Sequence, residues 1–252
     1  MRHLLLATLV ALSLPAFAGD AKVQAPDGTA LFAREAGHGS HGVLLLHDAG
    51  RTSADWTLFI DKLEAKGYRV LAMDLRGHGE SADILTTEPD WSLMDDDVQA
   101  AIALLRTKGA KKISVVGAGL GANLAVDVAS RDPKVETVVL LSPGLNIHGY
   151  KPSGTVGAYG ARPLLLAAGK DDRMASSTVK YLEKQSQGPT RAVLLSGDAS
   201  GTNLLDENPN LEDGVLSWLA GNYGAAEGLS ENATLRTGDV DQQESQGKRY
   251  GE

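Results

Sequence analysis

The 252-residue sequence contains no cysteine, which excludes disulfides, thiol catalysis, thiolate metal ligands and lipid attachment to cysteine. Aromatic residues make up only 5% of the chain, too few for a platform that stacks on bases or sugars. Positive charge is also scarce, because 24 Lys and Arg stand against 32 Asp and Glu, for a formal net charge of −8. Such a chain is poorly suited to nucleic acid or an acidic membrane. We therefore expect no nucleic-acid partner, and neither a metal nor a cofactor.

A long hydrophobic run is missing as well, since the apolar stretch at 4–14 is too short to anchor the chain in a bilayer. It follows the basic residue Arg2 and precedes Ala16-Phe17-Ala18, a small-residue cleavage pattern. This arrangement is typical of a secretory signal peptide over residues 1–18. The sequence thus predicts an exported protein, periplasmic or secreted, without a stable membrane anchor.

The remaining chain is predicted to form one α/β domain over residues 19–223. Apolar strand-like segments alternate with amphipathic, helix-like ones, which favours a mostly parallel, doubly wound sheet with helices on both faces. The acidic triplet at 95–97 opens one predicted helix, where we expect it to cap the N-terminus rather than to bind metal. Residues 145–161 leave room only for a minimal lid. Residues 224–252 are polar and are predicted to be a disordered tail.

A glycine-rich turn, Gly117-Ala118-Gly119-Leu120-Gly121, joins a β-branched strand to a helix. Read with Ala122, it fits the dinucleotide fingerprint G-x-G-x-x-G/A. It also fits the nucleophile elbow G-x-S-x-G, except that Gly119 stands at the serine position. A dinucleotide site needs an acidic residue after the next strand, where the sequence has Ser142-Pro143. A dinucleotide-binding oxidoreductase is therefore a remote alternative.

The order of the motifs resembles the α/β-hydrolase family over about residues 22–222. Four segments carry this resemblance in addition to the glycine turn. They are an HGxxG-like loop at 47–50, a D-x-R-G-H-G-x-S turn at 74–81, the acidic segment at 170–173, and a stretch at 197–205 similar to G-x-x-H-G-T-x-L-L. The resemblance implies the α/β-hydrolase fold and a site at the ends of these strands.

Two of the three catalytic positions implied by the resemblance hold residues that cannot do the chemistry. Gly119 stands at the nucleophile position and Ser200 at that of the histidine base. The acid position is retained as Asp171, with Asp172 as an alternative register. A Ser–His–Asp triad needs an attacking oxygen and a base, and neither glycine nor serine supplies these.

The oxyanion hole implied by the resemblance depends on backbone groups and so does not require the triad side chains. The N–H groups of Ala49 and Leu120 are its expected donors. His47 and Asp48 belong to the same loop, with Asp48 at a position where the family usually has glycine. We expect His47 to serve turn geometry and packing.

The leading hypothesis is therefore a hydrolase-like protein that lacks Ser–His–Asp catalysis and is retained for binding or as a scaffold. Its partner would be a small carboxylate or ester ligand, or another protein. The alternative is a carboxylic-ester or acyl hydrolase with a non-standard site that uses Ser200, Ser142 or a water activated by Asp171. No histidine follows the last predicted strand, so a short shift in register does not restore the base.

Overall fold

A computed structural model describes residues 19–82, 88–226 and 235–236. The predicted signal peptide and most of the predicted tail lie outside these residues. Within the described part of the chain, no helix is long and apolar enough to cross a membrane.

The described strands form one mixed sheet in the order β1-β2-β4-β3-β5-β6-β7-β8-β9. The pairs from β4 to β8 are parallel, whereas β1, β2 and β9 join in antiparallel fashion. The strands are β1 Gly19–Gln24, β2 Ala30–Ala36, β3 His41–Leu46, β4 Arg69–Met73, β5 Lys112–Ala118, β6 Val135–Leu141, β7 Leu164–Gly169, β8 Thr190–Leu195 and β9 Leu235–Arg236.

Helices cover both faces of the sheet and bury two separate cores. They are α1 Thr57–Ala65, α2 Met94–Thr107, α3 Leu120–Arg131, α4 Pro152–Tyr159, α5 Arg173–Gln185, α6 Asn203–Asp206 and α7 Pro209–Leu219. In β3, Leu44 and Leu46 enter the core under α2 to α5, whereas Val43 and Leu45 enter the core under α1, α6 and α7. Alternate side chains of a strand point to opposite faces, so a continuous apolar run is what a strand covered on both sides requires.

This architecture confirms the predicted α/β-hydrolase fold, with differences at the edges of elements. Helix α5 begins at Arg173, earlier than predicted, because Asp172 caps it by accepting a hydrogen bond from the Ala175 N–H. The predicted lid segment contains the short helix α4. Within the predicted tail, β9 pairs with the edge of β8.

Buried hydrogen bonds and ion pairs hold the D-x-R-G-H-G-x-S turn in place. Asp74 is buried and accepts backbone hydrogen bonds from Ser53 and Glu80. Arg76 donates two hydrogen bonds, of 2.9 and 2.6 Å, to the fully buried Asp97 and one of 2.8 Å to Asp27. The acidic triplet lies in the first turn of α2, as predicted, and the Asp97 carboxylate in addition turns inward to neutralise Arg76.

Candidate functional site

The turn at Gly119 has the backbone geometry of an elbow between β5 and α3. Gly119 has φ +52° and ψ −114°, a conformation that costs a side-chain-bearing residue strain but costs glycine little. Its N–H donates to the Leu141 carbonyl at 2.9 Å, which ties the turn to the end of β6. A Cβ at Gly121 would overlap the Leu46 carbonyl, so this glycine lets α3 approach β3 closely. The elbow is thus retained, with no side chain at its tip.

The two expected oxyanion-hole donors converge on a single oxygen atom, and that atom belongs to Asp48. Asp48 Oδ1 accepts hydrogen bonds from the N–H groups of Ala49 and Leu120, each at 2.7 Å. These are the donors that would hold a negatively charged oxygen of a substrate. Leu120 opens α3, so the positive end of the helix dipole also faces this carboxylate.

The Asp48 carboxylate also fills the space of the nucleophile. A Cβ placed on Gly119 would overlap the carboxylate carbon and both oxygens of Asp48. Both expected donors are therefore present and point to one place, but in this structure Asp48 engages them. The same carboxylate lies against the N-terminus of α3, where the dinucleotide alternative requires a pyrophosphate.

His47 holds the oxyanion loop in place and is fully buried. Its Nε2 accepts a hydrogen bond from the Leu75 N–H at 2.9 Å. Its Nδ1 therefore carries the proton, which it donates to the Asp48 carbonyl at 2.7 Å. Burial, as the main cause, lowers the pKa of His47 to about 4, so the ring is neutral at pH 7. This arrangement supports the expected packing role.

The base position is coupled to the acid position through a weak hydrogen bond. Ser200 Oγ donates to Asp172 Oδ2 at 3.3 Å, and the other oxygen of Asp172 caps α5. Asp171 is exposed, and among the described residues no hydrogen bond or ion pair of its carboxylate is found. The geometry thus favours Asp172 over Asp171 as the residue at the acid position. The reason is helix capping, which turns Asp172 toward the loop of Ser200.

A small cavity of about 150 Å³ lies beside the elbow and the Ser200 loop. Asp48, Ser200 and the Arg51–Asp55 ion pair border it. The remaining lining residues are Ala118, Gly201, Thr202 and Asn203. The cavity therefore brings together the elbow, the oxyanion loop and the base position, but Asp171 is not part of its lining.

Ser142, the other serine considered as a nucleophile, is only 5% exposed and has φ +52°. Its Oγ accepts a hydrogen bond from the Gly201 N–H at 3.0 Å. It therefore positions the loop of Ser200. Sequence reasoning missed this contact, because nothing in the pattern indicates that the two loops touch.

The histidines near this edge of the sheet are engaged elsewhere. His78 Nδ1 is hydrogen-bonded to the Arg76 carbonyl at 2.9 Å. His148 is exposed, and its ring stacks on Trp91 with centroids 3.5 Å apart. Among the described residues, no hydrogen bond links a histidine nitrogen to Ser200.

Comparison with known proteins identifies the family of the chain. The model of the family described as serine aminopeptidase, S33, matches residues 37–233, most of the chain. ABHD14B of Pongo abelii is 28% identical over 209 residues, covering 77% of this chain and 92% of that protein. A 2-hydroxy-6-oxononadienedioate/2-hydroxy-6-oxononatrienedioate hydrolase of Pseudomonas putida is 33% identical over 112 residues, 43% of this chain; the match spans only 38% of its own length.

A solved structure shows the same fold. The esterase EaEST from Exiguobacterium antarcticum superimposes with a TM-score of 0.66 at 16% identity, over 79% of this chain and 98% of its own. At that identity the likeness concerns the fold alone. Together with the family match and the elbow at Gly119, it leads to one conclusion: the chain belongs to the serine aminopeptidase S33 family of α/β-hydrolases.

Proposed function

We propose that this protein is a member of the α/β-hydrolase family that does not carry out Ser–His–Asp hydrolysis and acts by binding, as a receptor or scaffold outside the cytoplasm. The observation that carries the proposal is the elbow at Gly119, whose backbone conformation is retained without a nucleophilic atom. Ser200 supports it, since a hydroxyl paired with Asp172 has no nitrogen that takes up a proton at neutral pH.

Relatives that are named hydrolases and esterases favour a second candidate, an ester or acyl hydrolase with a non-standard site. Ser200 is its best nucleophile, because it is exposed and borders the cavity. It would need a base, and Asp172 is the acceptor within reach. A carboxylate is a weak base for a serine hydroxyl, which makes this candidate the less favoured one.

Hydrolysis of p-nitrophenyl acetate and butyrate by the purified protein distinguishes the two functions. We expect no turnover above that of buffer, and no labelling by a fluorophosphonate. Ser200→Ala and Asp172→Asn are the informative variants, with Ser196→Ala, an exposed serine of the same loop, as the matched control. Turnover that disappears in the first two variants and persists in the control would contradict the proposal. Turnover that survives in these variants and also in Ser142→Ala and Asp171→Asn would come from a contaminant.

The proposed location needs its own test, which is cleavage after Ala18. Intact-mass measurement of the protein secreted or released from a bacterial periplasm should give a chain that begins at Gly19. Retention of residues 1–18 in the cytoplasmic fraction would argue against export.

A further inference from the structure

We propose that Asp48 is an internal ligand of the oxyanion hole and keeps carboxylate and ester groups out of it. One oxygen of its side chain accepts both backbone N–H groups at 2.7 Å, an arrangement an incoming oxyanion would have to reproduce. Hydrogen bonds from N–H groups to a carboxylate are about twice as strong as those between neutral groups. The hole is therefore saturated by the chain itself.

The Asp48 carboxylate blocks the oxyanion hole by its volume as well as by its charge. The Asp48 carboxylate overlaps the position of a Cβ on Gly119, the atom that would carry a nucleophilic hydroxyl. A substrate oxygen bound to the N–H groups of Ala49 and Leu120 would need the place that Asp48 Oδ1 holds. A glycine at position 48, the residue that the resemblance leads one to expect, would leave both N–H groups free.

This inference rests on the proposed binding function, and it assigns to Asp48 the control of ligand access to the oxyanion hole. In the closed arrangement the cavity borders Asp48 and Ser200 but offers no free oxyanion-hole donor. A small carboxylate or ester reaches the hole only if the Asp48 side chain leaves it. Asp48 is half-buried on the cavity wall, and Arg51 borders the same cavity.

A butyrate titration tests the inference directly, with the amide resonances of Ala49 and Leu120 as the readout. In Asp48→Gly we expect both resonances to shift during the titration, with an affinity about tenfold or more above that of the wild-type chain. Asp198→Gly is the matched control, since it removes the same charge from the exposed loop of Ser200 and leaves the hole occupied. Equal butyrate affinity in the wild type and Asp48→Gly would overturn the inference, and so would an equal gain in Asp198→Gly.

The inference and the proposed function fail in different ways. Ester turnover by the wild-type chain contradicts the proposed function. Butyrate that binds equally with and without Asp48, in a chain that hydrolyses no ester, overturns only the role of Asp48.

A second measurement does not depend on ligand binding. Gly119→Ala adds a Cβ that overlaps the Asp48 carboxylate, so it should lower the melting temperature more in the wild-type background than in Asp48→Gly. The strain of a positive φ is common to both backgrounds and cancels in the comparison. Equal losses would show that the carboxylate does not occupy the elbow.

Discussion

Burial of His47 makes the stability of the protein depend on pH. In the unfolded chain this imidazole titrates near its ordinary pKa of 6.5, whereas burial lowers the pKa to about 4 in the folded protein. Between these values the unfolded state binds more protons, so the free energy of unfolding falls as the pH drops from 6.5 to 4. The loss over this interval is about 3 kcal/mol, at 1.36 kcal/mol for each unit of pKa.

We expect His47→Gln to flatten this pH dependence while lowering stability at pH 7, because the hydrogen bonds to Leu75 and Asp48 are disturbed. Urea unfolding at several pH values between 4 and 7 measures both effects. His38→Gln replaces an exposed histidine and serves as the control. If wild type and His47→Gln show the same slope against pH, the acid sensitivity comes from other groups.

The Arg76–Asp97 ion pair is the second feature whose effect is local. The Asp97 side chain is fully buried and that of Arg76 is 13% exposed, so removing one partner leaves the other poorly solvated. Asp97→Ala should cost about 3 kcal/mol of unfolding free energy. Asp96→Ala, an exposed neighbour in the same turn, should change it by less than about 0.5 kcal/mol. Similar values for the two variants in urea unfolding would mean that the pair contributes nothing specific.

The packing of helix α3 against strand β3 depends on the absence of a side chain at Gly121. Gly121→Ala would drive a methyl group into the Leu46 carbonyl, and neither backbone has room to yield without separating helix and strand. We expect a loss of about 3 kcal/mol or more, or failure to fold. Gly157→Ala in α4 is the control, because no atom lies within 4 Å of its added Cβ and alanine favours a helix by about 0.5–1 kcal/mol.

A thermal melt distinguishes the two glycine variants. Gly157→Ala should melt at or above the wild-type temperature, and Gly121→Ala well below it. A wild-type melting temperature for Gly121→Ala would mean that α3 can shift away from β3 at little cost.

The sequence predicts the elements far better than the contacts of single side chains. Strand β3 and strand β6, Val135–Leu141, could be predicted because a strand that is buried on both faces needs a nearly continuous run of apolar residues. Asp48 could be identified as unusual for the loop, but not as the occupant of the hole, because that depends on where one side chain points. Similarly, the choice between Asp171 and Asp172 depends on which carboxylate caps α5.

At the scale of the whole molecule, the sheet and its two layers of helices keep most of a hydrolase site in place. The backbone donors at Ala49 and Leu120 converge, the elbow keeps its conformation, and Asp172 faces position 200. Under the proposed function, substitutions at positions 48, 119 and 200 would complete a triad with an open hole.

The combined variant Asp48→Gly, Gly119→Ser, Ser200→His should therefore acquire esterase activity. We expect fluorophosphonate labelling at position 119 and hydrolysis of p-nitrophenyl butyrate about 100-fold or more above the wild-type chain. The double variant that keeps Asp48 should remain unlabelled, since the carboxylate still blocks the elbow and its donors. A folded triple variant without labelling would mean that the scaffold no longer aligns the three positions.

The overlap between Asp48 and a side chain at 119 also couples two positions that lie 71 residues apart in the chain. A serine at 119 and this conformation of Asp48 compete for one volume, so a side chain introduced at 119 would have to displace the Asp48 carboxylate from its two backbone N–H donors. A substitution at one position is therefore expected to change the side-chain conformation available at the other.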